Sequence, residues 1–354
     1  MAGLLSKKKN MIGVDIGSSS LKLVEIQREP DGCKLAGCSM VPLERGAFER
    51  GLISDGGAVI NAIKRLVEES GTSTKPAGTA LSGFAVYINK IAIPDMSEEE
   101  IRRLILDEAD EYLPGDLLEN VYFDIHILGT NDHNREKIDV IIAAAKKEIV
   151  SKYQRVFESA GLRLVQMDVD VFALERAYEE NYDFGDEDVI ALVHVGADVT
   201  NLHIVRGDRS LFIRNILMGG NLVTEAIQSK RGVSFSEAER MKLDTRDHGD
   251  EVCKGVTPLS LAEPIIEEIE RSMDFYVSSA GLICIKKALL SGGSAALPGL
   301  AYELSRRLRC DVELFNPFQS LKYDRGKFGE EYLNEMASFS SIAVGLALRR
   351  MEDL

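Results

Sequence analysis

The 354-residue chain is 45% hydrophobic and 28% charged, with a formal charge of −15, a composition that reads as soluble and globular with room for two or more domains. That acidity argues against non-specific nucleic-acid binding, which needs a basic surface. The five cysteines, Cys33, Cys38, Cys253, Cys284 and Cys310, are odd in number and show no CxxC pairing, so a disulfide framework or zinc site is not expected and a reducing cytoplasm fits.

The N-terminal MAGLLSKKKN has three lysines, which read as a solvated tail, and no apolar core suited to a signal peptide. No run of about 18 apolar residues suggests a membrane span. The first patterned stretch is Met11 to Ile26, an apolar run ending in an acid, a Gly-Ser-Ser-Ser turn and an alternating segment, which predicts strand, turn, strand. Gly17 lets the backbone bend close to a ligand. Ser18, Ser19 and Ser20 put backbone N–H groups and hydroxyls on one turn, a concavity suited to phosphate. Asp15, just before the turn, is placed to hold a cation such as Mg²⁺ through water. A buried hairpin with a serine-rich turn accounts for the same residues equally well.

Gly32 to Pro42 reads as a further strand, Asp55 to Ser70 as a helix and Ala77 to Gly83 as a buried strand, a β-β-β-α-β order. Residues 84–162 read as an inserted two-layer α+β unit. Within it are a strand from Tyr87 to Ile93, a helix opened by the capping box Ser97 to Glu100 and running to about Tyr112, strands at Val121 to Leu128 and Lys137 to Ala144, and a helix from Lys146 to Ala160. His126 and His133 lie beside no other ligand pattern and read as structural or surface residues. Val165 to Tyr178 returns the chain to the first unit as strand and helix.

Val189 to Val205 then repeats the first pattern, with Gly196 falling on Gly17 and His194 on Asp15, followed by Ala197, Asp198 and Thr200-Asn201. Two such units suggest two similar halves facing across a cleft. Gly219-Gly220 turns into a helix from Leu222 to Lys230. Glu239 and Lys242 share a face of the next short helix, where a solvated ion pair is the simple reading. The loop Thr245 to Gly255 is polar. Ala262 to Ala280 is a long amphipathic helix, and Ala288 to Leu290 is a strand entering the turn Ser291-Gly292-Gly293-Ser294, which leaves room for a nucleoside. The small apolar residues from Phe339 to Leu348 predict close helix packing at a hinge.

The three glycine turns, in this order and spacing, resemble the phosphate-1, phosphate-2 and adenosine motifs of the actin, Hsp70 and sugar-kinase superfamily. The insertion inside the first half and the terminal Ala343-Val344-Gly345-Leu346-Ala347-Leu348 resemble FtsA. Within that branch, Asp15 to Lys22, Asp168 to Leu174 and Glu268 to Tyr276 resemble the PilM family of type IV pilus assembly proteins. The resemblance implies an α/β, actin-like (ribonuclease H-like) two-lobed ATPase fold with a small α+β domain inserted in the first lobe. It implies a first subdomain at 10–83, 163–188 and 336–354, the insertion at 84–162, a second subdomain at 189–218 and 256–335, and a short helical subdomain at 219–255. ATP with Mg²⁺ would lie between the lobes, held by Gly17, Ser18, Ser19, Lys22, Gly196, Ala197, Asp198, Thr200, Gly292, Gly293 and Ser294, with Asp15 on the metal side. Glu239 and Lys242 resemble the pair of bacterial actins that reaches the nucleoside.

The implied function is a cytoplasmic ATP-binding scaffold. It would dock on the short cytoplasmic N-terminal tail of the inner-membrane protein PilN, peripheral to that membrane, and link it to the pilus motor. A groove between the first and inserted subdomains is the expected seat of that tail, since the nucleotide cleft is complete without the insertion. The alternatives are a polymerising FtsA-like actin and, less favoured, a small-molecule kinase. The resemblance also implies other pilus inner-membrane or motor components as partners, with a homo-oligomeric ring as a further option. His194 departs from the acid of the superfamily, and Asn201 is no base, so no catalytic residue is assigned and ATP hydrolysis should be slow.

Overall fold

A computed structural model describes residues 10–115, 120–131, 134–243, 257–280 and 284–349. His133, the three N-terminal lysines and the loop 245–255 lie outside the described residues.

The first half opens with β1 (Ile12–Ile16), β2 (Ser20–Glu29) and β3 (Gly32–Pro42), joined as an antiparallel meander. A small ribbon, β4 (Phe48–Glu49) and β5 (Leu52–Ile53), precedes α1 (Gly56–Ser70). The Asp55 carboxylate caps that helix by accepting from the Ala58 N–H, and Gly71, at φ 67°, ends it. Val59, Ile63 and Leu66 recur at helical spacing and are buried against the sheet. β6 (Pro76–Leu81) then lies parallel to β1, and β10 (Arg163–Val169) parallel to β6. The second half repeats this arrangement. β11 (Val189–Val195), β12 (Thr200–Arg206) and β13 (Arg209–Ile216) form the meander; β14 (Lys287–Ser291) lies parallel to β11 and β15 (Asp311–Leu314) parallel to β14.

Five strands of the first sheet run β3-β2-β1-β6-β10 and the second sheet runs β13-β12-β11-β14-β15, the same order built twice; the first sheet gains a sixth, short strand beyond β3. α5 (Asp170–Asn181) leaves the last strand of the first sheet, and α11 (Glu330–Leu348) follows the last strand of the second. Each helix then packs toward the opposite half. Leu174, Ala177 and Tyr178 of α5 share one core with Ile190 and Leu192 of β11, while Ala343, Val344 and Ala347 of α11 share it with Val24 and Ile26 of β2. The two helices touch at a point where only glycine fits: a Cβ on Gly345 would lie 1.6 Å from the Ala173 carbonyl oxygen. The expected close packing of the terminal small residues is thus the contact that joins the lobes.

On the second lobe, α6 (Gly220–Arg231), α7 (Phe235–Leu243), α8 (Pro258–Leu261), α9 (Glu263–Ala280) and α10 (Leu300–Leu308) cover the sheet. Val223, Ile227 and Ala238 belong to the same core as β11 and β12, so the described part of the expected helical subdomain is packed on its lobe.

The inserted unit is a three-stranded sheet, β7 (Tyr87–Pro94), β9 (Lys137–Lys146) and β8 (Val121–Thr130) in that order, with α2 (Glu98–Asp107) and α3 (Ala109–Tyr112) on one face. The capping box forms, with the Ser97 N–H donating to Glu100 at 2.8 Å. The helix expected to run unbroken to Tyr112 divides at Glu108, whose backbone leaves the helical region. Two boundaries also differ. α4 (Lys147–Ser159) buries Tyr153, Val156 and Phe157 in the first-lobe core, so it belongs to that lobe and not to the insertion. β16 (Lys322–Tyr323) pairs with β3, and α11 starts at Glu330, so the chain has rejoined the first lobe well before residue 336.

Gly345→Ala should lower the stability of the whole chain by roughly 1–3 kcal/mol or more, since the added methyl meets backbone that cannot yield. Gly115→Ala, where nothing lies within 4 Å of the new Cβ, is the control. Urea midpoints of the two variants check this, and equal midpoints would contradict the packing described.

Candidate functional site

The two hairpins β1-β2 and β11-β12 open onto one cleft between the lobes. They are built alike. The Gly17 N–H donates to the Ser20 carbonyl at 3.1 Å and the Gly196 N–H to the Val199 carbonyl at 2.9 Å, closing equivalent turns. Asp15 is opposite Lys22 in the first ladder, and His194 is opposite Asn201 in the second. A side chain at Gly17 would come within 2.9 Å of Lys22 Nζ, and one at Gly196 within 2.8 Å of the Val199 carbonyl oxygen. Bare backbone at these turns suits the close approach of an anion.

Asp15, Gly17, Ser18, Ser19, Lys22, Gly196, Ala197, Asp198, Glu239, Lys242, Gly293 and Ser294 all border the cleft. Lys22 Nζ is 3.3 Å from Asp15 and 3.2 Å from the Ser20 carbonyl oxygen, which places a cation at the base of the first turn. Lys242 is buried and paired with Glu239 at 2.7 Å; Thr224 donates to the same carboxylate at 2.5 Å. The pair, which in isolation looks solvated, therefore lies in the cleft wall. Asp198 accepts from Asn221 at 2.7 Å, and the Ser294 hydroxyl donates to the Gly196 carbonyl at 3.2 Å. Thr200 and Gly292 do not border the cleft. The Thr200 hydroxyl is fully buried and donates to the Met218 carbonyl at 2.8 Å, and the Gly292 N–H donates to the Ser338 carbonyl at 2.7 Å. Both hold the walls from behind, so neither is a direct ligand candidate.

His194 Nδ1 lies 3.0 Å from the Ser291 hydroxyl, on the parallel neighbour strand. Burial pushes its pKa down to about 4, against the opposing pull of Asp15. The ring is therefore neutral at pH 7 and adds no charge to a metal side. Among the described residues no group of three or more His, Cys, Asp or Glu side chains is arranged to hold a metal ion. Asp15 fits a cation bound through water rather than a closed protein cage.

Asp170 was not singled out from the sequence as a cleft residue. It is the first residue of α5, buried, and borders the cleft between the two turns. Asn201 of the opposite lobe donates to it at 2.5 Å, and the Val171 N–H bonds its other oxygen at 2.8 Å. Burial raises its pKa to about 7, although both hydrogen bonds oppose the shift. The Asn201 side-chain oxygen Oδ1 is buried without a hydrogen-bond partner. An orphaned acceptor beside a bare-backbone turn fits a site built for a polar ligand. The signal for Asp170 was present in the sequence as an acid at a strand-to-helix junction, but nothing local says that this junction meets the second lobe.

A second cavity of about 960 Å³ lies between the inserted sheet and the first lobe. One wall is β8, the outer strand of the inserted sheet; the other includes Met167 and Asp168 of β10 and Phe172 and Glu175 of α5. The exposed His126 borders it, consistent with a surface role.

A duplicated five-strand order, crossed helices and paired glycine turns over a cleft define the actin-like fold. The chain belongs to the PilM family: the model described as type IV pilus assembly protein PilM matches residues 13–351. It is thereby a type IV pilus assembly protein. A solved PilM–PilN type IV pilus biogenesis complex superposes with a TM-score of 0.82 at 29% identity, over 96% of this chain and 98% of that one. Ethanolamine utilization protein EutJ from Carboxydothermus hydrogenoformans shares the fold, with a TM-score of 0.56 at 18% identity over 96% of this chain and 89% of its own. Cell division protein FtsA of Enterococcus faecalis is 20% identical over 88% of this chain and 80% of its own length. Among the described residues no helix is long and apolar enough to cross a membrane.

Asp170 titrates higher folded than unfolded, so the folded protein binds the extra proton between about pH 4 and 7 and this group's contribution to stability falls as pH rises through that window. Asp170→Asn should therefore gain stability relative to wild type as pH rises from 4 to 8, by up to about 4 kcal/mol. Chemical denaturation at pH 4.5 and 8 measures the gap; a gap that does not grow with pH would overturn the assignment.

Proposed function

We propose that this chain is an ATP-binding scaffold that docks on the cytoplasmic N-terminal tail of a PilN-like inner-membrane protein and so connects that membrane partner to the pilus motor. The observation that carries the docking is the groove beside β8. The seven consecutive residues Tyr122 to Leu128 all border it, although side chains of a strand alternate between faces. Such a strand turns its edge to the cavity, with backbone N–H and C=O groups available to an added strand. Apolar groups from Met167 and Phe172 line the far wall, where alternate side chains of an extended peptide would be buried. The likeness to a PilM–PilN complex over nearly the whole chain supports a tail of that kind as occupant. A tail that orders on binding loses entropy, so micromolar affinity is expected.

ATP binding rests on the bare-backbone turns at Gly17 and Gly196, with Lys22 at the base of the first and the Glu239–Lys242 pair in the wall. Asp15 would hold Mg²⁺ through water. Hydrolysis should be slow, below roughly 1 s⁻¹, because His194 is neutral and Asp170 already accepts two hydrogen bonds. A polymerising FtsA-like actin is the second reading and draws on the FtsA likeness alone; ATP-dependent pelleting would favour it.

Asp15→Ala should weaken ATP binding in the presence of Mg²⁺ by about 1.5–3 kcal/mol; identical calorimetric affinities for the two proteins would remove Asp15 from the site. For the groove, Tyr122 and Ile127 are exposed at 56% and 38%, so Tyr122→Asp with Ile127→Asp should spare the fold. That double variant should bind a synthetic peptide of the PilN cytoplasmic tail from the same organism at least tenfold more weakly, with ATP affinity unchanged. Unaltered peptide affinity would place the docking surface elsewhere.

A further inference from the structure

The wall of the groove opposite β8, built from β10, α5 and the turn after β12, carries more acid than it neutralises. Four carboxyl groups converge there: Asp168 from β10, Glu175 and Glu179 from α5, and Asp208 from the turn after β12. The guanidinium groups on the same wall are engaged. Arg349 Nε donates to Asp168 at 2.9 Å, Arg176 to Glu179 at 3.1 Å, and Arg209 to the Thr130 carbonyl at 2.9 Å. Asp124, on the β8 side, accepts from Arg102 at 2.5 Å.

Glu175 is left over. Its side chain is 14% exposed, and among the described residues it has no hydrogen-bond donor and no Lys or Arg partner. The one ionisable nitrogen within ion-pair distance is His203 Nε2 at 3.9 Å, and that nitrogen already lies 2.7 Å from the Ser210 hydroxyl. Burial drives His203 down to about 4, so the imidazole is neutral and offers Glu175 no charge. A largely buried carboxyl without a partner is a cost that a fold carries only where something else completes it. Here the opening beside it is the groove.

We propose that the segment seated in this groove carries a lysine or arginine side chain, and that Glu175 is the residue that selects it. The inference rests on the groove being a peptide site, as argued above, and adds the chemistry of one position in that peptide. A cation delivered to Glu175 forms a charge-assisted bond in a partly desolvated setting, where such bonds are strongest. Asp168, Glu179 and Asp208 reinforce the attraction, while Arg349, Arg176 and Arg209 on the same wall oppose it. The same surroundings hold Glu175 in its protonated form in the free protein. Burial first, then Glu179, Asp168 and Asp208, raise its pKa to about 8 despite Arg349. A bound cation favours the ionised form, so binding at pH 7 should release a proton and affinity should rise from pH 7 to 9.

The experiment uses the full chain and an acetylated, fluorescent positional-scanning library of eight-residue peptides with leucine fixed at alternate positions. Wild type should prefer lysine or arginine at one position by at least tenfold, and Glu175→Gln should reduce that preference below twofold while still binding the library. Glu175→Lys should reverse the preference toward aspartate or glutamate, and the chosen lysine peptide should bind wild type several-fold more tightly at pH 9 than at pH 7. Matching melting temperatures for the variants would show that the change is in recognition and not in folding. If peptides bind wild type with no basic preference, or Glu175→Gln keeps it, the selection proposed for Glu175 is wrong while the groove reading stands. If only peptides with a free amino terminus gain affinity through Glu175, the cation is the chain terminus and the side-chain assignment is overturned. If no peptide binds at all, the groove reading fails and this inference fails with it.

Discussion

The contact between Gly345 of α11 and the Ala173 carbonyl of α5 is the constraint from which the remaining geometry follows. Two sheets that share one five-strand order have no intrinsic reason to face each other; each could bury its open face against helices of its own. What holds them is the exchange of helices, in which α5 runs from the first sheet onto the second half and α11 from the second onto the first. The crossing must be close for both helices to reach their sheets, and any side chain at Gly345 would separate them. α11 presses equally on β1, where a Cβ at Gly13 would lie 2.2 Å from the Ala343 carbonyl oxygen. The glycine turn that follows β1 is therefore positioned from below by the same helix.

α5 serves both candidate sites. Its first residue, Asp170, meets Asn201 at the floor of the cleft, while Phe172 and Glu175 face the groove beside the insertion. His203, two residues after Asn201 on β12, packs its ring against the Val171 carbonyl at 3.3 Å and stands near Glu175. A single helix and a single facing strand thus carry buried polar groups toward two openings. Those groups share a condition: burial pulls the acids up and the imidazoles down, which lowers the charge this seam carries at neutral pH. The exposed ion pairs elsewhere, such as Arg65 with Glu69, add little to the fold by comparison.

Much of this arrangement was legible along the chain. The alternation of β1-β2 and β11-β12, the helical spacing of α1 and the cap at Ser97 are local patterns, and local patterns follow from side-chain period and backbone hydrogen bonding alone. Laying one glycine turn on the other placed His194 against Asp15, and the ladders reproduce that equivalence, with Asn201 in the place of Lys22. The errors fall where an element's period is right but its partner is remote. α4 was correctly read as amphipathic, yet its apolar face enters the first-lobe core through Tyr153 and Phe157 rather than the inserted sheet. Lys322 and Tyr323 pair with Lys34 and Leu35, nearly three hundred residues earlier, a match that no short window contains.

The residues themselves determined the strand and helix periods, the glycine turns and the duplication, because each depends on neighbours within a few positions. Tertiary structure decided which polar groups lose water and which face an opening. Taken in isolation Glu239 and Lys242 look like a solvated pair, and only the packing of α7 sets them in the cleft wall, while the Thr200 hydroxyl is taken up by the Met218 carbonyl. Asp170 and Glu175 look like ordinary helix-surface acids in sequence; burial against a distant strand alters their protonation. Desolvation is set by everything that surrounds a group in three dimensions, and that sum is not contained in any segment of the chain.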